Sequence, residues 1–151
     1  MNNSFSDTGG WENSLMRSTT LPVVKAALPA DLQAVLKTTS IYSDNTGGNS
    51  DVASYVTATQ DELYLLAEFE IFGARHWANT AEQNYQQQYA YYVAGNSKVK
   101  YKHSDTATGA IWLERSVDVK HENTFCCGDT NGTAYFGRAN GSFGLALAFK
   151  I

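Results

Sequence analysis

Two Asn-Gly pairs, Asn131-Gly132 and Asn140-Gly141, punctuate the C-terminal block and constrain the fold more than any other feature. A type I′ turn needs positive φ at both central residues, so Asn-Gly between apolar runs is a strong hairpin signal. The segments around these pairs, Phe125–Gly128, Thr133–Phe136 and Phe143–Phe149, therefore read as successive antiparallel strands. The last would place Leu145, Leu147, Phe149 and Ile151 on one face and Ala146, Ala148 and Lys150 on the other. That is the pattern of a core strand with a small-residue back.

The upstream chain carries helical signals first. Trp11–Arg17 reads as a short helix with Trp11 and Leu15 on one face, and Pro29 opens a clearer one striped by Leu32, Val35 and Leu36. Lys37–Asp44 reads as a strand, Asn45–Asp51 as a loop, and Val52–Thr59 as a weak strand broken by Gln60-Asp61-Glu62. Leu63–Leu66 reads as a buried strand, and Ala67–Phe72 as one helical turn stopped at Gly73. Tyr85, Tyr89 and Tyr92 fall at helical spacing. Lys98–Lys102 alternates like an edge strand with its lysines outward, and Ser104–Gly109 reads as a loop. The expected class is α+β: N-terminal helices followed by a curled antiparallel sheet with hairpins. Residues 1–10, polar and ending in Gly9-Gly10, read as a flexible lead-in to one domain over 11–151.

The charge balance limits the partners. With a net charge of −4 and only 17% charged residues, nothing favours nucleic acid or an anionic membrane. Asn, Ser, Thr, Gly and Tyr fill the surface instead, as in binding loops. No run approaches the ~18 apolar residues of a membrane span. Met1-Asn-Asn-Ser-Phe-Ser lacks the basic start and apolar core of a secretion leader, so if the protein leaves its cell the expected routes are a larger assembly, lysis, or prior leader removal.

Signals for catalysis are weak. There is no Gly-x-Ser-x-Gly elbow, no His-Glu-x-x-His, no EF-hand spacing and no phosphate-binding glycine loop. His76, His103 and His121 are scattered and read as loop residues. Cys126 and Cys127 are adjacent, so on a strand they face opposite ways, one buried and one half-exposed. No catalytic residue, cofactor or metal is assigned, and calcium is not indicated. Polar and aromatic residues between apolar frame positions mark the binding surface instead. These are Ser116, Asp118, Lys120, His121, Asn123, Asp129, Asn131, Tyr135, Arg138 and Asn140.

Several motifs resemble one bacterial and phage family. Gly10-Trp11-Glu12-Asn13-Ser14-Leu15-Met16-Arg17 resembles its GW-x-x-S-x-L/M-R opening, and Leu63–Gly73 resembles its LLS-x-x-E-x-fG segment. Ile111-Trp112-Leu113-Glu114-Arg115-Ser116 resembles its WWLRS core, and Gly144–Ile151 resembles its GVRPAF-x-I ending. Two departures stand out: Glu114 is inserted in the core motif, and Leu145–Leu147 replace Val-Arg-Pro.

The family is C-type-lectin-like, similar to phage receptor-binding heads and to the variable proteins of diversity-generating retroelements. The likeness implies a non-enzymatic receptor-binding head of a tail fibre or surface adhesin, in a virion or outside the cell. Its C-terminal block would be the diversified part, and C-type-lectin-like domains often bind without calcium. Partners would be a host-cell protein or glycan and further fibre subunits or a homo-trimer. The alternatives are a structural or trimerising decoration and a formylglycine-generating-enzyme-like oxidase, whose reactive cysteines are set apart in sequence.

Overall fold

In the computed structural model, which describes residues 1–151, a turn of π-helix at Met16–Thr20 runs into helix α1 (Leu21–Ala26). Pro22 sits in the first turn of α1, where its missing amide forfeits no helical hydrogen bond. Helix α2 (Ala30–Val35) follows Pro29 as expected. Strands β1 (Thr39–Asp44) and β2 (Val56–Asp61) pair antiparallel over their full length. Gln60 and Asp61 therefore continue β2 rather than break it.

The short strand β3 (Tyr64–Leu65) is buried, and helix α3 (Glu68–Phe72) ends at Gly73 with φ +70°. That left-handed cap is the stop signal expected there. A 3-10 turn at Thr80–Asn84, helix α4 (Ala90–Val93) and the ribbon β4 (Lys100–Lys102) with β5 (Asp105–Ala110) come next. The segment expected as a loop at Ser104–Gly109 is thus mostly strand. The C-terminal sheet has the order β8-β7-β6-β9, from β6 (Trp112–Val117), β7 (Thr124–Gly128), β8 (Ala134–Arg138) and β9 (Gly144–Leu145). Strand β10 (Leu147–Ala148) leaves it to pair with β3. Short helices with several antiparallel sheets make the class α+β. No helix is long and apolar enough to cross a membrane.

The ends of the chain depart from expectation. Residues 1–10 are packed rather than a lead-in: Met1 lies in the main core beside Leu65, Val117, Phe125 and Ala139, and the Asn2 amide donates to the Ala139 carbonyl at 2.7 Å. Polar and glycine-rich composition suits a tight buried turn as well as a flexible tail. Gly10 has φ +52°, and a Cβ there would stand 2.0 Å from the Asp44 carbonyl oxygen. Gly10→Ala is expected to cost roughly 2 kcal/mol or more, from left-handed strain and the backbone clash together, read as a lowered denaturant midpoint.

The first Asn-Gly pair does close the β7–β8 hairpin, although not as a type I′ turn. Only Gly132 has positive φ, at +82°; its amide donates to the Asp129 carbonyl at 3.0 Å, and the Asp129 amide donates to the Thr133 carbonyl at 2.8 Å. This is the longer hairpin closure in which glycine alone takes the left-handed position. The second pair closes no hairpin. The Gly141 amide donates to Arg138, and the chain then crosses over so that β9 runs parallel to β6. The expected strand Phe143–Phe149 splits at Ala146 because its halves find different partners. Leu145, Phe149 and Ile151 are consequently 38%, 41% and 66% exposed rather than core.

Two smaller differences lie in the helical segments. Trp11 is buried but Leu15 is exposed, since Trp11–Asn13 form an irregular turn rather than a continuous helix through Arg17. Tyr85, Tyr89 and Tyr92 share no face: Tyr85 stacks on Tyr42 at 4.2 Å, the Tyr89 and Tyr64 hydroxyls meet at 3.4 Å, and Tyr92 is buried.

Candidate functional site

Strand β6 is buried at every position, including Glu114, Arg115 and Ser116. Leu113 pairs with Cys127 and Val117 with Phe125, so three residues of β6 oppose the single Cys126. The extra residues bulge out of the ladder, which lets neighbouring polar side chains turn inward together. Arg115 donates to both oxygens of Glu70, at 2.6 and 2.7 Å, and to the Leu65 carbonyl at 2.8 Å. The Ser116 hydroxyl donates to Glu82 at 2.6 Å and accepts the Glu68 amide at 3.1 Å. Burial raises the Glu82 carboxyl to about 7 despite its hydrogen bonds. Burial, then the nearby Glu68 and Glu82, push Glu114 well above the usual carboxylate range. Neither Glu114 oxygen has a hydrogen-bond partner.

Two of the buried carboxylates anchor loops. Glu68, at the start of α3, accepts the amides of His76 at 2.8 Å, Trp77 at 2.8 and 3.0 Å, and Ala78 at 2.9 Å. This pins the 75–78 loop from beneath. Asp118 accepts the amides of Lys120 at 2.8 Å and His121 at 3.3 Å and the Thr124 hydroxyl at 3.0 Å, and pairs with His121 Nδ1 at 2.7 Å. The loops then tie to each other. The Val119 amide donates to the Trp77 carbonyl at 3.0 Å, and Lys120 Nζ donates to the His76 carbonyl at 2.6 Å.

An aromatic ledge sits on this foundation. The His121 ring stacks on Phe136 at 3.9 Å and 13°, and Trp77 meets Phe136 edge-on at 5.3 Å. Tyr135 lies 5.3 Å from Phe136 at 19°, and Lys120 Nζ stands 4.8 Å over the Trp77 ring. The His121 side chain and Tyr135 are each 41% exposed. Flat rings beside a cation and an imidazole offer stacking area, charge and hydrogen bonds on a fixed support.

The model of DUF6273, a domain of unknown function, matches residues 1–151. The chain belongs to the DUF6273 family. No curated protein matches it, and no solved structure does.

In this DUF6273 domain the sequence-predicted surface residues separate into four groups. Ser116 and Asp118 are fully buried and hold the frame and loop, so they are not ligand contacts. Lys120, His121 and Tyr135 come together in the ledge. Asn123 and Arg138 frame the same end of the sheet: Asn123 has φ +60° and its carbonyl accepts the Ala139 amide at 2.9 Å, while Arg138 lies 5.4 Å from the Phe5 ring. Asn140 is exposed just beyond β8, whereas Asp129 and Asn131 belong to the hairpin turn. Four residue steps of β8 put that turn about 14 Å from Arg138.

Trp77 and Phe136 are the ledge residues that sequence reasoning missed. Phe136 was legible as a strand residue, but Trp77 sits in an irregular segment and nothing local pairs it with β8. Neither cysteine is half-exposed. Both are free and fully buried, and burial pushes both thiols well above their ordinary range, so neither is a thiolate near neutrality. No group of three or more His, Cys, Asp or Glu side chains is placed to hold a metal ion.

Proposed function

We propose that this domain is a non-enzymatic, C-type-lectin-like binding module, the displayed head of a phage tail fibre or surface adhesin. It contacts a host-cell protein or glycan through the ledge of Trp77, Lys120, His121, Tyr135 and Phe136. The observation that carries this reading is the ledge itself, with partly exposed rings and a cation on loops pinned by buried carboxylates. A rigid foundation under replaceable surface side chains lets recognition change without repacking the core. The reading needs no cofactor. It places the protein in a virion or outside the cell, among further fibre subunits.

The test uses the labelled domain on intact bacterial cells and on arrayed bacterial surface glycans. The triple variant Lys120→Ala, His121→Ala, Tyr135→Ala is expected to lose binding at least tenfold, about the effect of removing one or two hot-spot side chains. Its melting temperature should stay within about 3 °C of the parent, because these side chains are largely outside the core. Unchanged binding by the triple variant would remove the ledge as the contact surface.

A further inference from the structure

A second concave surface lies away from the ledge residues. A groove of about 490 Å³ runs between α4, β4, β3 and β10, lined chiefly by Tyr64, Tyr89, Tyr91, Tyr92, Phe149 and Lys100. Tyr89, Tyr91 and Phe149 are 36%, 54% and 41% exposed, so their rings are open to solvent. Lys100 Nζ stands 5.6 Å from the Tyr92 and Trp112 rings and 5.9 Å from Tyr91, and it makes no hydrogen bond or ion pair. Lys98 Nζ, also without an ion pair, lies 5.6 Å over Tyr92 from its own side.

The groove lining carries two lysines, Lys100 and Lys150, and no carboxylate, opposite in sign to the chain as a whole, which carries −4. Two carboxyls act on the groove tyrosines: Glu70 on Tyr89 and Glu114 on Tyr92. Glu70 is engaged by Arg115. Glu114 is fully buried, and that burial favours its neutral form. Neither supplies a counter-ion to Lys100, whose own charge is disfavoured by burial among the rings. An ammonium in this setting gains most from an anion that brings its own apolar face.

We infer that the groove binds the carboxylate-bearing sugar of an acidic glycan, with Lys100 meeting the carboxylate and Tyr89, Tyr91 and Phe149 packing against the ring. The volume falls within the roughly 300–1,000 Å³ of small-ligand pockets, whereas a protein partner would need a face of about 800 Å². Tyrosine also distinguishes a sugar from a plain fatty carboxylate. Its rings stack on the C–H face while its hydroxyls hydrogen-bond the sugar hydroxyls. This site shares no residue with the ledge and stands whether or not the ledge binds cells.

The whole domain is titrated with glucuronate- and N-acetylneuraminate-terminated oligosaccharides, with their neutral counterparts and with decanoate, by calorimetry. An acidic saccharide is expected to saturate the domain and to bind at least tenfold tighter than its neutral counterpart. Lys100→Gln and Tyr91→Ala should each weaken it about tenfold, Lys100→Arg should retain most of the affinity, and the ledge triple variant should bind like the parent. Equal binding of neutral sugars, saturation by decanoate alone, full affinity in Lys100→Gln, or no saturation at millimolar saccharide would each overturn the assignment.

Discussion

Arg115→Leu is expected to destabilise the domain by roughly 3–5 kcal/mol, a loss of about 10 °C in melting temperature for a chain of this size. Arg115 is fully buried and makes a two-point ion pair with Glu70 at 2.6 and 2.7 Å. Removing it strands Glu70 without its cation in a region that already holds Glu68, Glu82 and Glu114. It also takes a donor from the Leu65 carbonyl. Most of the loss comes from the uncompensated buried charge rather than from the pair itself. The double variant Arg115→Leu, Glu70→Leu is therefore expected to recover more than half of it. Urea denaturation of the parent, both single variants and the double variant closes the cycle. A single Arg115→Leu within about 1 kcal/mol of the parent would mean that the pair is dispensable.

Stability is expected to fall as pH rises from about 4.5 to above 7, the reverse of the usual behaviour of paired carboxylates. Glu82 is raised from 4.5 to about 7 in the folded state, chiefly by burial, so the folded protein holds a proton there that the unfolded chain releases. That stabilisation is complete below the unfolded value and is lost as pH climbs through the folded one. For a shift of this size the loss is about 3 kcal/mol. Glu114, raised by burial and by Glu68 and Glu82, acts in the same direction, as does the buried Asp7. Asp51 and Asp105 are lowered and act oppositely, but only under more acidic conditions, below their ordinary carboxylate range.

Glu114→Gln is the diagnostic variant, because neither Glu114 oxygen accepts a hydrogen bond that the amide would break. It should raise the melting temperature at pH 8 by several degrees and leave it nearly unchanged at pH 4.5, flattening the profile. Calorimetry at the two pH values reads the difference. A parent equally stable at both would contradict the account of the buried cluster.

The motif around Glu114 shows how far local reading reaches. Its departure from a Trp-Leu-Arg-Ser pattern was visible as one extra acidic residue, but the consequence needed the sheet. Three residues of β6 oppose one of β7, and Glu114 turns into the interior without a partner. Asp118 and Ser116 illustrate the opposite error. Polar residues between apolar ones read locally as surface, yet incoming amides and carboxylates from elsewhere satisfy them, and they lie buried. His121, Lys120 and Tyr135 keep accessible surface: each packs one side against an aromatic ring, while Asp118 and the His76 carbonyl hold the first two in place.

The local sequence specifies what φ, ψ and side-chain period control over short stretches. It marked the Gly73 helix stop, β1, the buried Leu63–Leu66 segment, the β7–β8 hairpin and the α+β class. Long-range packing sets which strand each part of the C-terminal segment joins, buries residues among 1–10, and brings Trp77 against Phe136 across the chain. The physical reason is the same in each case. Backbone preference is local, whereas burial depends on whether a partner arrives from a distant segment to satisfy a polar group or cover a ring.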